Sequence, residues 1–325
     1  MTRISRSTLK VVVAVVALLL SALAGAQQYP SQPIRIIVPY PPGGSADFTA
    51  RTVGVKISEG IGQPVVVENR SGAAGQVGIQ AVVRSPADGY TLLATPNGAV
   101  SISGHLQKLP YDPAKDLAPV AMLAWVPIAI AVNAAVPIHN LNDFIEFSKR
   151  KADGVSYSVS GVGTLMQLAG ELLKSMTGAN LVAVPYKGTA PAATAILSGE
   201  VPAGISDLVT LLPHATSGRI RILALANSTR TTTAPDLPTV AESGVPGYGA
   251  DGWIGMFAPA GTPPHIIARL NAEVARSLAL PEVRQALGKA GLEPAPMRSE
   301  DMGRFVLDEI KKWGKVIKDA NIKIN

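Results

Sequence analysis

Two glycine-containing turns hold the residues of this sequence that are best suited to bind a ligand. Residues 40–47 (YPPGGSAD) follow a run of β-branched residues and precede a helical pattern, and residues 158–164 (SVSGVGT) do the same further along the chain. Glycine lets a backbone approach a ligand closely, and a helix N-terminus presents free N–H groups with a partial positive charge. Each turn is therefore predicted to bind an anion through backbone amides.

The candidate residues in these turns are small and, with one exception, uncharged. Because neither turn contains Lys, Arg or His, a bound carboxylate would depend on amides of the glycines more than on charged side chains. Ser45 could cap the first helix or donate to a ligand, and Asp47 suits the positive end of that helix. A capped turn without a ligand is the alternative for the first turn, but two such turns in facing lobes favour a ligand with one or two carboxylates. The candidates are Gly43, Gly44, Ser45, Asp47, Ser160, Gly161, Gly163 and Thr164.

Four further candidates lie where a strand pattern gives way to a turn or a helix. Asn97 would face the same cleft or form a plain turn. Thr189, followed by Ala190, would reach the ligand or cap its helix. Asp207 lies between a strand and a helix, where the N-cap position is its usual role and ligand contact is the alternative.

The sequence lacks two of the commonest catalytic motifs. It has no Gly-x-Ser-x-Gly nucleophile turn and no phosphate-binding P-loop. Residues 247–252 (GYGADG) match the dinucleotide fingerprint but precede a strand instead of a helix. There is no cysteine, and the four histidines are too widely spaced for a helical metal pair. We therefore expect no catalytic residue, metal or cofactor. The alternative is a soluble periplasmic hydrolase or lyase whose catalytic groups meet only on folding.

The N-terminus has the three-part build of a secretory signal peptide. Three basic residues precede an uncharged apolar run, and residues 24–26 (AGA) fit a cleavage site. A membrane anchor is the alternative, but spanning a bilayer takes about 20 apolar residues and this run is shorter. Residues 1–26 are therefore predicted to be removed, and the mature protein is expected in a bacterial periplasm.

Removal of this segment also lowers the net charge. It holds three basic residues and no acidic one, so the charge falls from +6 to +3. The remaining basic clusters are short and lie in helical patterns, whereas nucleic-acid binding needs a long basic surface. We expect a monomer that binds a small organic anion and no nucleic acid.

Short β-branched runs alternate with longer helical patterns along the mature chain, which is typical of α/β domains with parallel sheets. One βαβαβ pattern ends near residue 94, and a second set runs from about Pro127 to Asn227 before a Pro- and Gly-rich connection leads back. Two crossovers between lobes make a hinge. The predicted domains are the signal peptide (1–26), a first lobe (27–124 with 231–325) and a second lobe (125–230).

Seven segments match the sequence pattern of one family in the same order along the mature chain. They are residues 29–35 (YPSQPIR), 38–47 (VPYPPGGSAD), 67–75 (VENRSGAAG), 86–92 (PADGYTL), 185–188 (PYKG), 237–242 (LPTVAE) and 258–263 (APAGTP). By these segments the chain resembles the periplasmic receptors of tripartite tricarboxylate transporters, also called Bug receptors. The resemblance implies an α/β, two-lobed periplasmic binding protein of type II (Venus-flytrap) with a hinge and an interlobe ligand cleft.

The resemblance also implies a ligand and partners. The expected ligand is a small carboxylate held largely by backbone amides and ordered water, which membrane transporter components or a sensor protein would then recognise. By position, the pocket loops are residues 40–47 and 160–167, which adds Tyr40 and Gln167 to the candidates. Gln167 stands where family members commonly have His, and residues 205–208 (ISDL) are less polar than the pattern. The identity of the ligand therefore stays open.

Overall fold

The computed structural model of the protein describes residues 29–319 and residue 322. Within this part of the chain, two mixed β-sheets form the centres of two lobes. The predicted signal peptide lies outside the described residues. None of the helices in the described residues is both long enough and apolar enough to cross a membrane.

The first lobe is built on a six-stranded sheet with the strand order β11-β4-β10-β3-β1-β2. β1 pairs in parallel with β2 and β3, whereas β10 is antiparallel to β3 and β4. The strands are β1 (Ile34–Val38), β2 (Val65–Asn69), β3 (Thr91–Pro96), β4 (Leu117–Val126), β10 (Gly252–Pro259) and β11 (Glu293–Pro294). The helices are α1 (Ser45–Ile61), α2 (Gln76–Val83), α3 (Ser103–Leu106), α4 (Pro113–Asp116), α9 (Pro264–Ala279), α10 (Pro281–Lys289) and α11 (Ser299–Asp319).

The second lobe has a five-stranded sheet with the strand order β7-β6-β8-β5-β9. β6 is parallel to β7 and β8, and β5 is antiparallel to β8 and β9. The strands are β5 (Ile128–Asn133), β6 (Val155–Val159), β7 (Leu181–Pro185), β8 (Ala203–Asp207) and β9 (Ile220–Leu225). The helices are α5 (Leu141–Lys149), α6 (Leu165–Thr177), α7 (Thr189–Ser198) and α8 (Leu208–Thr216).

Burial of both sheet faces explains the apolar strand sequences. In β1, Ile34, Ile36 and Val38 pack into one apolar cluster, while Ile37 packs into a second cluster. Alternate residues of a strand point to opposite faces, so a strand with helices on both sides needs a continuous apolar run. The sequence pattern of β1 thus fixes it in the interior of the sheet, with its carboxyl end free to carry the first candidate turn.

Proline and polar side chains define the passage between the lobes. Pro127 separates β4 of the first lobe from β5 of the second, as its position in the sequence predicts. The Asn227 side chain accepts a hydrogen bond of 2.8 Å from the amide of Ile128, which ties the outgoing crossover to the returning one. The Asn97 side chain donates to the carbonyl of Asp251 at 3.1 Å, directly before β10 returns to the first sheet.

The connection that follows β9 packs differently from its assignment in the sequence. The sequence pattern predicts residues 231–250 in the first lobe, whereas Thr239 forms a bridge to Leu225 of the second sheet. Tyr248 is buried and donates a hydrogen bond of 2.8 Å to the carbonyl of Ala169 in α6. These contacts favour a return at Gly252, where β10 begins, and the domain boundaries drawn from the sequence stay a prediction.

The last described helix connects the two lobes. Trp313 and Ile317, near the end of α11, belong to the same apolar cluster as Leu168 of the second lobe. The buried carboxylate of Glu309 accepts hydrogen bonds from the indole N–H groups of Trp313 at 3.0 Å and of Trp253 at 3.3 Å. One helix therefore packs on the core of each lobe.

Candidate functional site

The carboxyl ends of parallel strands from both sheets face one another. The turn after β1 leads into α1, and the turn after β6 leads into α6. Across the gap, Ser45 of α1 interacts with Asp207 at the end of β8. A Cβ atom placed on Gly98 would lie 3.9 Å from the amide nitrogen of Leu165 at the start of α6. The two predicted turns therefore border one interlobe cleft, which is where ligands bind in open α/β sheets.

Asp47 holds the first turn in shape. Its carboxylate accepts hydrogen bonds from the amide of Gly43 at 3.0 Å, from Arg51 Nε at 3.0 Å and from Asn69 Nδ2 at 2.9 Å. Asn69 Nδ2 also lies 3.1 Å from the carbonyl of Tyr40, to which it donates. The first turn is thus fixed at both ends by side chains from α1 and β2.

These contacts set the charge state of Asp47. Burial alone would raise the pKa of this carboxyl, but the hydrogen bonds from Arg51, Gly43 and Asn69, with the positive charge of Arg51, hold its pKa below the usual value. Asp47 is 5% exposed and stays ionised at neutral pH, so its main contribution is to the position of the loop.

Gln167 holds the second turn in shape, as Asp47 holds the first, but its side chain is uncharged. Its Oε1 accepts a hydrogen bond of 2.7 Å from the amide of Gly163, which has a left-handed φ of 71°. Thr164 precedes α6 as its N-cap residue, and its hydroxyl donates to the carbonyl of Gly161 at 2.9 Å. Gly43, in the first turn, is also left-handed, with a φ of 89°. Each turn therefore pairs a left-handed glycine with a side-chain oxygen four residues later.

This pairing corrects the expectation that all the glycine amides would donate to the ligand. The amides of Gly43 and Gly163 already have acceptors within their own turns. The amides in the first turn of α1 and of α6 have no acceptor inside their helices and point out of the helix ends. A Cβ atom placed on Gly44 would meet no atom within 4 Å, so the space beside that residue is open.

Asp207 is buried in the cleft with an incomplete set of partners. It occupies the N-cap position of α8, but its side chain accepts no hydrogen bond from that helix, so the capping role is wrong. Its Oδ1 is buried and, among the described residues, has no hydrogen-bond partner. Burial raises the pKa of Asp207 to about 7, although the side-chain interaction with Ser45 acts in the opposite direction.

The remaining predicted residues lie at different depths. Asn97 is 2% exposed and its amide serves the hinge, as described above. Thr189 and Ala190 begin α7; Thr189 is half-buried and Ala190 is exposed. The amide of Gly188, directly before them, donates to the carbonyl of Ser160 at 3.1 Å, which places the start of α7 beside the second turn.

A third turn borders the first one and was not predicted as part of the site. Residues 71–75 follow β2, which pairs with β1. Gly72, Ala73 and Gly75 all have positive φ angles, and a Cβ atom placed on Gly75 would lie 3.2 Å from the Tyr40 hydroxyl. Burial raises the pKa of that hydroxyl to about 12, so Tyr40 stays neutral. The signal for this turn was a Ser-Gly-Ala-Ala-Gly run after a predicted parallel strand.

A second cavity of about 360 Å³ lies at the hinge and is lined by Trp125 and Phe305, among others. Its charged groups have partners within the protein. Glu293 accepts from the hydroxyls of Thr231 and Thr232, and Arg230 pairs with a glutamate at 3.0 Å. Among the described residues, no group of three or more His, Asp or Glu side chains is placed to hold a metal ion.

Comparison with known proteins identifies the family. Residues 49–322 match the family model of the tripartite tricarboxylate transporter family receptor. The chain belongs to this family. The resemblance seen in the sequence is thereby confirmed, and the family is one of solute-binding receptors.

Individual relatives of this receptor agree with the family. Protein BugT of Bordetella pertussis is 36% identical over 307 residues, which cover 94% of each chain. An R. palustris protein solved with adipate is 36% identical, with a TM-score of 0.84 over 91% of this chain and 99% of its own. MatC from Rhodopseudomonas palustris, solved with bound malate, is 31% identical, with a TM-score of 0.81 over 89% of this chain and all of its own. The two-lobed binding-protein fold is therefore confirmed.

The Asp47 contacts in this receptor predict a specific pH dependence of stability. A carboxyl group with a lowered pKa in the folded state stabilises the protein above its unfolded pKa of 3.8, and this stabilisation is lost as the pH falls through the folded pKa. Asp47→Asn keeps an oxygen for Gly43 but removes the charge opposite Arg51. We expect this variant to unfold at lower urea concentration than the wild type at pH 7, with the difference shrinking below about pH 4.

The control for this measurement is Asp153→Asn, at an exposed loop position. It should change the urea midpoint little at any pH, because exposed charges far from a partner contribute little. A deficit of Asp47→Asn that stays constant from pH 7 to pH 3 would show that the charge is not what stabilises the first turn.

Proposed function

We propose that the mature protein is an exported, non-catalytic receptor that binds a small carboxylate between its lobes and delivers it to membrane transporter components. The observation that carries this proposal is the pair of facing turns, each with a braced glycine and each leading into a helix N-terminus. Neither turn contains a cationic side chain, so backbone amides are its anion-binding groups. A sensor protein that recognises the closed form is an alternative partner.

The carboxylate class is supported by chemistry and by relatives. A hydrogen bond from an amide to an ionised acceptor contributes about 1.5–3 kcal/mol, so a few first-turn amides are sufficient for specific binding. Two related structures hold adipate and malate, both of which are dicarboxylates. We infer that the ligand of this receptor is likewise a small mono- or dicarboxylate, bound beside Gly44 and between the first turns of α1 and α6.

The roles of the candidate residues differ within this proposal. Gly44, Ser45 and Thr164 border the ligand, while Asp47 and Gln167 hold the two turns in position. Tyr40 and the turn at 71–75 close one side of the site. A periplasmic hydrolase or lyase has no observation in its favour among the described residues, since the groups identified there are backbone amides, hydroxyls, the Gln167 side chain and the carboxyls of Asp47 and Asp207.

Substitution of Gly44 tests the location of the site. A side chain at this position enters open space in the ligand-free fold, so Gly44→Leu should change the melting temperature little. The same side chain would occupy the ligand space, so binding of adipate and malate should weaken at least tenfold. Isothermal titration calorimetry on the mature protein measures both affinities.

Gly288→Leu is the matched control for this substitution. Gly288 lies in α10 of the first lobe, and a Cβ atom there also meets no atom within 4 Å. Its affinity for either acid should equal that of the wild type. Equal affinity of the Gly44→Leu variant and the wild type would place the ligand elsewhere, and the absence of binding to either acid by the wild type would argue against this ligand class.

The export part of the proposal has its own test. When the full chain is expressed in a Gram-negative host, the periplasmic fraction should contain a protein that begins at Gln27, since residues 24–26 fit the small-residue cleavage pattern. N-terminal sequencing of that fraction measures the start. A protein that begins at Met1 and stays with the membrane would contradict export by a cleaved signal peptide.

A further inference from the structure

Asp207 is the group in the cleft whose role the proposed function leaves unexplained. It lies at the carboxyl end of β8 and is 4% exposed. Its Oδ1 has no hydrogen-bond partner among the described residues, and across the cleft it faces the hydroxyl of Ser45. A buried ionised carboxyl without a cation or a full set of donors is unfavourable by several kcal/mol in general.

The charged groups on the facing helices do not neutralise Asp207. On α1, Asp47 and Arg51 form an ion pair at 2.9 Å. On α6, which packs on β8, Glu171 and Lys174 form a second pair at 2.8 Å. Burial is the larger cause that acts on the pKa of Asp207 and raises it, and the hydrogen bond with the Ser45 side chain lowers it.

The other neighbouring elements supply no cation to Asp207 either. Tyr157 of β6 donates to a carbonyl of α6, and Arg221 of β9 donates to a carbonyl just before α5. His214 lies in the last turn of α8, at the opposite end from Asp207. The turn from α10 to β11 touches the start of α8. Of the charged residues that flank this turn, Lys289 is exposed and Glu293 is bonded to threonines. The strand β5 and the helix α7 have no titratable side chain.

We propose that closure of the lobes over an anionic ligand buries Asp207 in its protonated form, so that each acid anion is captured together with one proton. This inference rests on the proposed function, because it takes a carboxylate in the same cleft as given. The proton comes from solvent: it adds to the Asp207 carboxylate as the lobes close and returns to solvent when they open. No covalent bond other than that O–H bond forms or breaks.

The proton state of Asp207 also defines which ligands fit. A protonated carboxyl donates, so the ligand must present an oxygen acceptor near Oδ1, as carboxylates do. An ionised Asp207 would instead accept from an amine or hydroxyl of the ligand and would repel a carboxylate. The structure favours the first case, since the pKa of Asp207 is already raised to about 7 by burial and a bound anion would raise it further.

The coupling between proton uptake and closure sets how strongly the ligand affinity depends on pH. Asp207 has a pKa of about 7 in this structure, which we take as the closed form because Ser45 of the first lobe lies against Asp207 of the second. If opening of the lobes exposes Asp207, its pKa returns towards the usual 3.8. Between these values closure takes up a proton, so affinity falls by up to about tenfold for each unit of pH increase and levels off above the closed-form pKa. Binding should therefore weaken about tenfold from pH 6 to pH 8.

The first experiment measures this slope by calorimetry with adipate and with malate on the mature protein. We expect about tenfold weaker binding at pH 8 than at pH 6, and proton uptake at pH 6 in buffers of different ionisation enthalpy. Asp207→Asn, which is neutral at all pH values, should bind with affinities that agree within about twofold at the two pH values and should take up no proton. Equal wild-type affinities at pH 6 and pH 8, tighter binding at pH 8, or an unchanged slope in Asp207→Asn would overturn the proposal.

The second experiment needs no ligand. A Cβ atom placed on Gly291 would lie 3.0 Å from Cβ of Val209, across the lobe boundary, and the chain has no cysteine of its own. Cβ atoms in a disulfide lie about 3.5–4.5 Å apart, and Gly291 has a left-handed φ of 68°. A Val209→Cys, Gly291→Cys double variant can therefore be oxidised only if the turn at Gly291 moves outward by about 0.5 Å. A crystal structure of the oxidised double variant checks that the disulfide forms while Asp207 stays buried against Ser45. In ¹³C NMR with labelled aspartate, the carboxyl signal that disappears in Asp207→Asn should titrate near pH 7 in the oxidised form and nearer pH 4 after reduction.

The two experiments separate this inference from the proposed function. An oxidised form in which Asp207 titrates near pH 4 would overturn the proton uptake, even if both acids bind. Titration near pH 7 in a protein that binds neither acid would support the buried proton and argue against the proposed ligands. Titration of Asp207 near pH 7 in the oxidised form, together with pH-dependent binding of either acid, supports both the proton uptake and the proposed function.

Discussion

The proposed binding site of this receptor depends on backbone amides that its helices cannot satisfy. The first-turn N–H groups of α1 and α6 lie at the carboxyl ends of β1 and β6, where the two sheets face one another. Their direction is set by two turns, in which Asp47 and Gln167 each accept from a left-handed glycine four residues earlier. One side chain is ionised and the other is neutral, so the same loop shape is produced by different electrostatics.

Closure of the cleft depends on how the lobes are joined. Pro127, Asn227 and Asp251 mark three passages of the chain between the sheets, and side-chain hydrogen bonds tie these passages together. The helix α11 packs on the first lobe through Met302 and Val306 and on the core of the second lobe through Trp313 and Ile317. Its Glu309 carboxylate accepts from the indole groups of Trp313 and of Trp253 in β10. The contact between Asn97 and Asp251 lies beside the cleft, because a Cβ atom placed on the next residue, Gly98, would lie 3.9 Å from the amide of Leu165. The hinge is therefore joined to the ligand turns and can respond when the cleft closes.

Much of the fold and part of the site could be predicted from the sequence. β-branched runs that end in turn residues predicted the strands, and Pro127 predicted the break between β4 and β5. The packing of residues 231–250 was not predicted, because Val240 and Tyr248 are scattered in a Pro- and Gly-rich segment without periodicity. The sequence does not show which glycine amides are bonded within their own turns, because the acceptors Asp47 and Gln167 could equally well point to solvent. The lack of a cap at Asp207 depends on side-chain rotamers that local propensity does not define.

The position of the ligand carboxylate is the most direct test of anion binding by helix-terminal amides. The measurement is a crystal structure of the mature protein with adipate or with the acid that co-purifies from the periplasm. We expect a carboxylate between the N-termini of α1 and α6, with first-turn amides as its donors and Gly44 in van der Waals contact. A carboxylate that is paired with a Lys or Arg side chain, or that lies in the hinge cavity beside Trp125, would contradict it.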